Sequence, residues 1–384
     1  MKLATCIEKT LVRTFLCAII IIAGYLISSY IYNYYYSKIL ILTPHNVPST
    51  EVCYDSKLVD LKKSTVKILI IDGGGIKGII PLTLLHYVEK KTGKPISETF
   101  DFFAGTSTGA IIVTTLNVPD KNNNPLYSVN DVINAYVLLS KSAMTPSLSR
   151  MIFTLNGLLG PRFSIAVLHD AFVKKMGNHR LSLSIKKVAI TSYNLNKKAL
   201  QLFKSWDCMA PYSSYPASYL LSAATAIPTI YSPVMLDGES FMDGYVVANN
   251  PTLSAIRDVV ELYPHAKKYI FVHLGAGSDP LDHLTFGGEI TEKWGLLHWL
   301  YPAALVYYSS QDSSVKEAIH DMKLLIPNTK FSYYYFNTNI VGGNPTDPSE
   351  SNVNIIKMIA EQLIKEQQSR MGRLIKELEM HDDM

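Results

Sequence analysis

Cysteine is scarce in this chain. Its four residues, Cys6, Cys17, Cys53 and Cys208, fall at unrelated spacings with no CxxC pair, which excludes a zinc cage or a disulfide framework as the organising device. Cys17 lies in an apolar run without small residues before it and reads as a small hydrophobe rather than a lipidation site. Charge is equally thin, with 36 Lys and Arg against 32 Asp and Glu and no basic run, so no nucleic-acid surface is expected. Internal repeats and low-complexity tracts are missing as well. What is plentiful is apolar: 48% of 384 residues are hydrophobic and only 18% charged, which excludes a disordered chain and suggests a membrane segment.

That segment is TFLCAIIIIAGYLISSYIY, Thr14 to Tyr32, nineteen residues without a charge. At the helical rise it spans about 28 Å, close to a hydrocarbon core. Lys9 and Arg13 precede it, and Tyr30, Tyr32, Tyr34, Tyr35 and Tyr36 close it, as a basic cytoplasmic flank and an aromatic belt would. We read residues 1–37 as a tail and single-pass anchor with the N-terminus cytoplasmic, Lys38 weakening that orientation. A cleaved signal and a secreted chain is the competing reading; Tyr-rich YNYYYS offers no small-x-small site for it. Pro44 and Pro48 mark residues 38–65 as a linker.

The body, residues 66–365, alternates strands and helices. Val66 to Ile71 (VKILII) is a β-branched run ending at a glycine turn, and IIPLTLLHYVEKKTG has helical spacing closed by Gly93. Phe100 to Ala104 leads into a second sharp turn and the helix AIIVTTL. KVAITS (187–192), Leu200 to Lys204 and KYIFVHL (268–274) read as further strands, Tyr333 to Phe336 as a buried one. The pattern predicts an α/β domain with a largely parallel sheet. Asn352 to Leu378 reads as one long amphipathic helix, its last part a C-terminal extension over 366–384.

Gly105-Thr106-Ser107-Thr108-Gly109 fits G-x-S-x-G at a strand-to-helix junction, where flanking glycines let a serine stand exposed. Ser107 is the candidate nucleophile. Upstream, Asp72-Gly73-Gly74-Gly75-Ile76-Lys77-Gly78 offers consecutive backbone N–H groups at a helix start, a site for a phosphate or an oxyanion. Lys77 is followed by Gly78, so the Walker A spacing fails, and a lone GxGxxG is a weak dinucleotide signal. For a base, His273 suits a histidine triad loosely. Asp243, before Gly244, suits an aspartate acting directly, with Asp237-Gly238 as a competing pair. The isolated His45, His169, His283 and His298 read as surface or satisfied core residues.

DGGGIKGIIP (72–81), GTSTG (105–109) and FMDGYVVANNP (241–251), in this order and spacing, resemble the three signature blocks of the patatin-like phospholipase family. SAATAIPTIYSP (222–233) and SNVNIIKMIAEQLI are similar to the segment before its aspartate and to its closing helix. The resemblance implies a three-layer α/β/α fold with a mostly parallel central sheet. It further implies a Ser107–Asp243 dyad, with Asp243 preferred over Asp237, and an oxyanion hole from the amides of Gly73, Gly74 and Gly75. Lys77 stands where the family usually has arginine, losing the bidentate fork, and Tyr245 stands where glycine or alanine is usual, narrowing the site. The implied activity is lipid acyl hydrolysis of the phospholipase A or lysophospholipase type. Membrane phospholipid or lysophospholipid is the substrate, the bilayer the partner, and no cofactor or metal, calcium included, is expected. The alternatives are an acyltransferase using the same dyad and a catalytically dead membrane-anchored binding module.

Overall fold

A computed structural model of the chain describes residues 2–36, 40–42, 60, 62–207, 210–277, 315, 319–320, 329–338 and 342–380, with side chains from residue 14 onward. Helix α1 (Lys2–Tyr36) contains a 22-residue stretch, Thr14–Tyr35, long and apolar enough to cross a membrane. From Phe15 to Ile27 its large aliphatic side chains and Phe15 are exposed. Cys17 is among these exposed residues, whereas Cys6, Cys53, Cys208, His45, His283 and His298 lie outside the described side chains.

The body is built on a nine-stranded, largely parallel sheet in the order β1-β6-β7-β4-β3-β2-β8-β9, with β5 paired to β4. Its strands are β1 (Leu40–Leu42), β2 (Thr65–Ile71), β3 (Phe102–Thr106), β4 (Lys187–Asn194), β5 (Ala199–Lys204), β6 (Val234–Leu236), β7 (Glu239–Asp243), β8 (Lys268–Leu274) and β9 (Lys330–Phe336). The central strands read as continuous apolar runs because both faces are covered. Leu69, Ile71, Phe103, Val188 and Ile190 face one layer of helices, and Ile68, Ile70, Phe102, Ala104 and Ala189 face the other. This period-two split makes the three layers.

The first layer holds α2 (Ile79–Thr92), α3 (Ile96–Thr99), α4 (Thr108–Thr115), α5 (Val129–Ala143), α7 (Ile165–Met176) and α8 (Ala217–Ala224), and the short α6 (Leu148–Phe153) follows α5 without joining this core. After β7 come the single turn α9 (Tyr245–Ala248) and then α10 (Thr252–Leu262), whose Ala255, Ile256, Val259 and Leu262 cover the opposite face.

Three expectations change. The closing helix is two helices, α11 (Glu350–Glu366) and α12 (Gln368–Glu379), joined at Gln367, whose φ of −105° and ψ of 21° leave the helical region. The break lets both apolar faces reach α2 and the core. Leu40–Leu42 is not bare linker but an edge strand parallel to β6. Tyr333, Tyr334 and Tyr335 are only half-buried, with Phe336 alone in the core, because β9 is the other edge.

One register positions the site. β5 occupies residues 189–194 along one edge of β4, so β3 and β7 must share the other edge. β3 arrives parallel and ends with Thr106 opposite Thr191; β7 arrives antiparallel and ends with Asp243 opposite Ser192. The residue after Thr106 and the last residue of β7 therefore meet at one point of the sheet. The packing above it is tight: a Cβ on Gly109 would stand 2.2 Å from the Ile71 carbonyl oxygen. Gly109→Ala is expected to destabilise the protein by more than about 3 kcal/mol, since backbone cannot yield as a side chain can. Gly372, inside α12 with nothing within 4 Å of an added Cβ, gives the control: Gly372→Ala is expected to stabilise by about 0.5–1 kcal/mol. Denaturant unfolding in detergent checks both.

Candidate active site

Ser107 sits at the tip between β3 and α4 with φ 52° and ψ −116°, a conformation rare for a residue with a side chain. Such strain is held only when the surroundings over-determine it. Here β3 and α4 reverse direction within one residue, leaving the hydroxyl in the mouth of the turn. Asp243 ends β7 beside it with no exposed surface. Its Oδ1 accepts the Tyr245 N–H at 2.8 Å, while Oδ2 is buried without a formed hydrogen bond. Burial pushes this carboxyl up to about 7; the Ser107 hydroxyl and the Tyr245 amide pull the other way and only partly offset the loss of water.

The glycine loop lies across from this pair. The Gly73 N–H is engaged, donating to Asn249 Oδ1 at 2.9 Å. Gly74 and Gly75 instead face a cavity of about 280 Å³ together with Ser107 and Asp243. Tyr136 and Thr108 fasten the loop from behind. Both hydroxyls lie 2.6 Å from the Gly75 carbonyl and within hydrogen-bond reach of each other, so their two protons are shared among three contacts. The Ile76 N–H donates to the Pro345 carbonyl at 2.9 Å. The remaining cavity wall is apolar, with Ile111, Leu139, Met144, Ile227 and Ile230, and Tyr245 closes one side.

The other candidates fall elsewhere. Nε2 of His273, fully buried on β8, pairs with Asp72 Oδ1 at 2.6 Å, its Nδ1 meets the Tyr333 hydroxyl at 2.7 Å, and its ring stacks on Tyr335 at 4.3 Å. It braces the base of the glycine loop and does not line the cavity. Asp237 and Gly238, with φ 47° and 77°, form the two-residue hairpin between β6 and β7, the left-handed pair that a type I′ turn demands. Lys77 is buried beneath the loop. His169 is a satisfied core residue whose Nδ1 lies 3.0 Å from Ser222 Oγ.

Tyr136 and Asn249 had no assigned role in the sequence. Asn249 lies inside the third signature block, which marked the segment but not the residue. Tyr136 lies in the amphipathic α5, where a tyrosine is indistinguishable from core.

Residues 69–256, which include Ser107, Asp243 and the glycine loop, match the family model described as patatin-like phospholipase. These residues are a patatin-like phospholipase domain. Among curated relatives, patatin-like protein 2 of Oryza sativa subsp. indica is 28% identical over 273 residues, 62% of this chain and 67% of the rice protein. Patatin group A-2 of Solanum tuberosum is 25% identical over 349 residues, 79% of this chain and 85% of the potato protein. A solved structure, VipD from Legionella pneumophila, aligns over 79% of this chain and 67% of its own at 14% identity with a TM-score of 0.36, too remote to carry an argument. The patatin-like fold rests on the family match and on the layers and strand order described above.

In this patatin-like site the buried acid sets a stability cost. Above pH about 7 the native carboxylate is charged and dry while the unfolded one is hydrated, so the cost is full. It shrinks as pH falls from about 7 to about 4 and vanishes below, where both states are neutral. Asp243→Asn is therefore expected to stabilise the protein by about 1–3 kcal/mol at pH 8. Thermal unfolding of both proteins at pH 8 and pH 4 checks this, the gain disappearing at the lower pH.

Proposed function

We propose that this protein is a membrane-anchored lipid acyl hydrolase of the phospholipase A or lysophospholipase type, acting through Ser107 and Asp243. The observation that supports the reading is the dry Asp243 carboxyl, pushed up to about 7 by burial and lining the same apolar cavity as Ser107. An ordinary carboxylate is too weak a base for a serine; a desolvated one is matched to neutral pH.

The cycle follows from charge. Asp243 takes the Ser107 proton as Oγ attacks the ester carbonyl, and the developing oxyanion is met by backbone N–H groups of the glycine loop. With the Gly73 amide held by Asn249, this role falls to Gly74 and Gly75. Collapse expels the alcohol or lysolipid, which takes the proton from Asp243. Water then repeats the sequence on the acyl-enzyme, Asp243 accepting its proton, and free fatty acid leaves as Ser107 is restored. No step calls for a metal, and calcium independence is part of the proposal. The apolar wall suits an acyl chain, and an anchor places the site where a lipid ester is concentrated.

Fatty-acid release from mixed phospholipid and lysophospholipid vesicles, with a calcium chelator present, tests this. The parent is expected to release acid, and Ser107→Ala and Asp243→Asn to lose at least about a thousand-fold in rate. Release surviving Ser107→Ala overturns the nucleophile. Release abolished by the chelator and restored by calcium overturns the metal-free cycle.

Because the base must be deprotonated, kcat/KM is expected to fall about ten-fold per pH unit below an acid limb near pH 7. A rate constant flat down to pH 5 counts against Asp243.

Tyr136→Phe, which removes one of the two hydroxyls on the Gly75 carbonyl, is expected to lower kcat about ten-fold while leaving KM near its parent value. An unchanged kcat would remove Tyr136 from the positioning of the loop.

A further inference from the structure

Helix α1 does not leave the body as a free tether. The Tyr25 hydroxyl donates to the Ile152 carbonyl, Ser29 to the Phe153 carbonyl, and Asn33 Nδ2 to the Leu159 carbonyl at 3.2 Å. The Tyr32 ring stacks on Phe153 at 4.8 Å. Tyr25 and Asn33 are about 12 Å apart along the helix axis, so the C-terminal half of the apolar stretch is clasped against α6 and the turn after it. Two of these carbonyls, Ile152 and Phe153, belong to the last turn of α6, where intrahelical donors run out, and the third, Leu159, lies in the turn beyond. Water would serve them on a soluble surface; hydrocarbon could not.

The clasped segment is itself apolar on its outer side. Leu148, Met151 and Ile152 are exposed at i, i+3 and i+4 on α6, followed by exposed Leu155 and Leu158, the last at 77% exposure. The only charged residue from 148 to 158 is Arg150, and it is buried, its guanidinium donating inward to the Pro161 and Phe163 carbonyls at 3.2 and 3.4 Å. A surface turned to water would carry the reverse arrangement.

The chain then runs straight to the catalytic cavity. Arg162 and Phe163 N–H donate to the Thr229 and Ile230 carbonyls, and Arg162 Nη1 donates to Thr346 Oγ1 at 3.0 Å. Ile230 and Thr346 line the cavity that holds Ser107.

We propose that residues 148–158 form a membrane-immersed face, entering the acyl region of the same leaflet as the C-terminal third of α1 and opening the Ser107 cavity sideways to lipid. The occupant of this face is the acyl region of a bilayer leaflet. The inference rests on α1 being a membrane span. Two features argue for it: the apolar face is continuous with the span that it grips, and its one charge is withdrawn. The substrate chain then passes from leaflet to cavity without crossing water.

The test uses the full chain in phosphatidylcholine vesicles with and without brominated acyl chains. Leu148→Trp, Ile152→Trp and Leu158→Trp are compared with Ile20→Trp on the exposed side of α1. Leu183→Trp is the dry-side control, exposed just before the N-terminal end of β4, opposite the end that carries Ser107. Quenching is read above the background of Trp206, Trp294 and Trp299. The expected result is excess quenching at 148, 152 and 158 comparable to that at 20, with none at 183. Quenching at 20 but not at 148, 152 and 158 overturns the inference and leaves the anchor standing. Absence at 20 as well removes the anchor and the inference with it. A second arm compares Leu148→Glu/Ile152→Glu with the parent. Vesicle hydrolysis is expected to fall about ten-fold or more, while hydrolysis of a water-soluble short-chain ester stays within about two-fold. An unchanged vesicle rate overturns the lateral delivery of lipid.

Discussion

The rest of the structure depends on one carboxyl group being kept dry. Asp243 has no exposed surface, one amide on Oδ1 and no formed hydrogen bond on Oδ2. Transfer from water disfavours the charged form, and that penalty raises a group otherwise half-titrated near pH 4 into the neutral range. Under the proposed function, stability and chemistry pull in opposite directions at this residue, as is usual where a fold maintains a reactive group. The layers of helix on both faces of the sheet supply the burial that the group requires.

The arrangement of β4 makes that burial specific. Three strands pair with it, and because β5 takes residues 189–194 along one edge, β3 and β7 are placed end to end on the other. Ser107 and Asp243, 136 positions apart in the sequence, are thereby next to each other without any loop reaching between them. Rigid strand ends hold the two groups more closely than loops would. The glycine loop is treated likewise: Asn249, Thr108, Tyr136 and Pro345 each occupy one of its polar groups. What is left facing the cavity is Gly74 and Gly75, with the buried pair of His273 and Asp72 beneath.

The apolar N-terminal helix and the body share a single polarity rule. Where α1 meets α6, hydroxyl and amide side chains donate to backbone carbonyls, and Arg150, the one charge between residues 148 and 158, is folded inward. The cavity wall is likewise largely apolar, with Leu139, Met144 and Ile230 among its lining residues. Both surfaces suit an acyl chain, one as solvent and one as ligand.

The amino-acid sequence by itself determined the α/β class, the central strands and the two sharp turns, since continuous β-branched runs ending in glycine have few other uses. It placed β8 at its observed bounds and Ser107 at a strand-to-helix tip, both of which are local properties. It could not separate Asp243 from Asp237 by local signal, because both precede glycine; the family blocks separated them, and the register then showed one at a hairpin and the other at a dry strand end. Gly73's amide, Tyr136 and Asn249 were illegible for the same reason: each acts across a contact between distant segments. The break at Gln367 escaped the helical periodicity because the apolar spacing continues through it, while packing on α2 decides where the helix must turn. Local pattern thus wrote the elements, and only tertiary structure decided which backbone groups were spent and which were left to act, since burial and pairing belong to the whole fold.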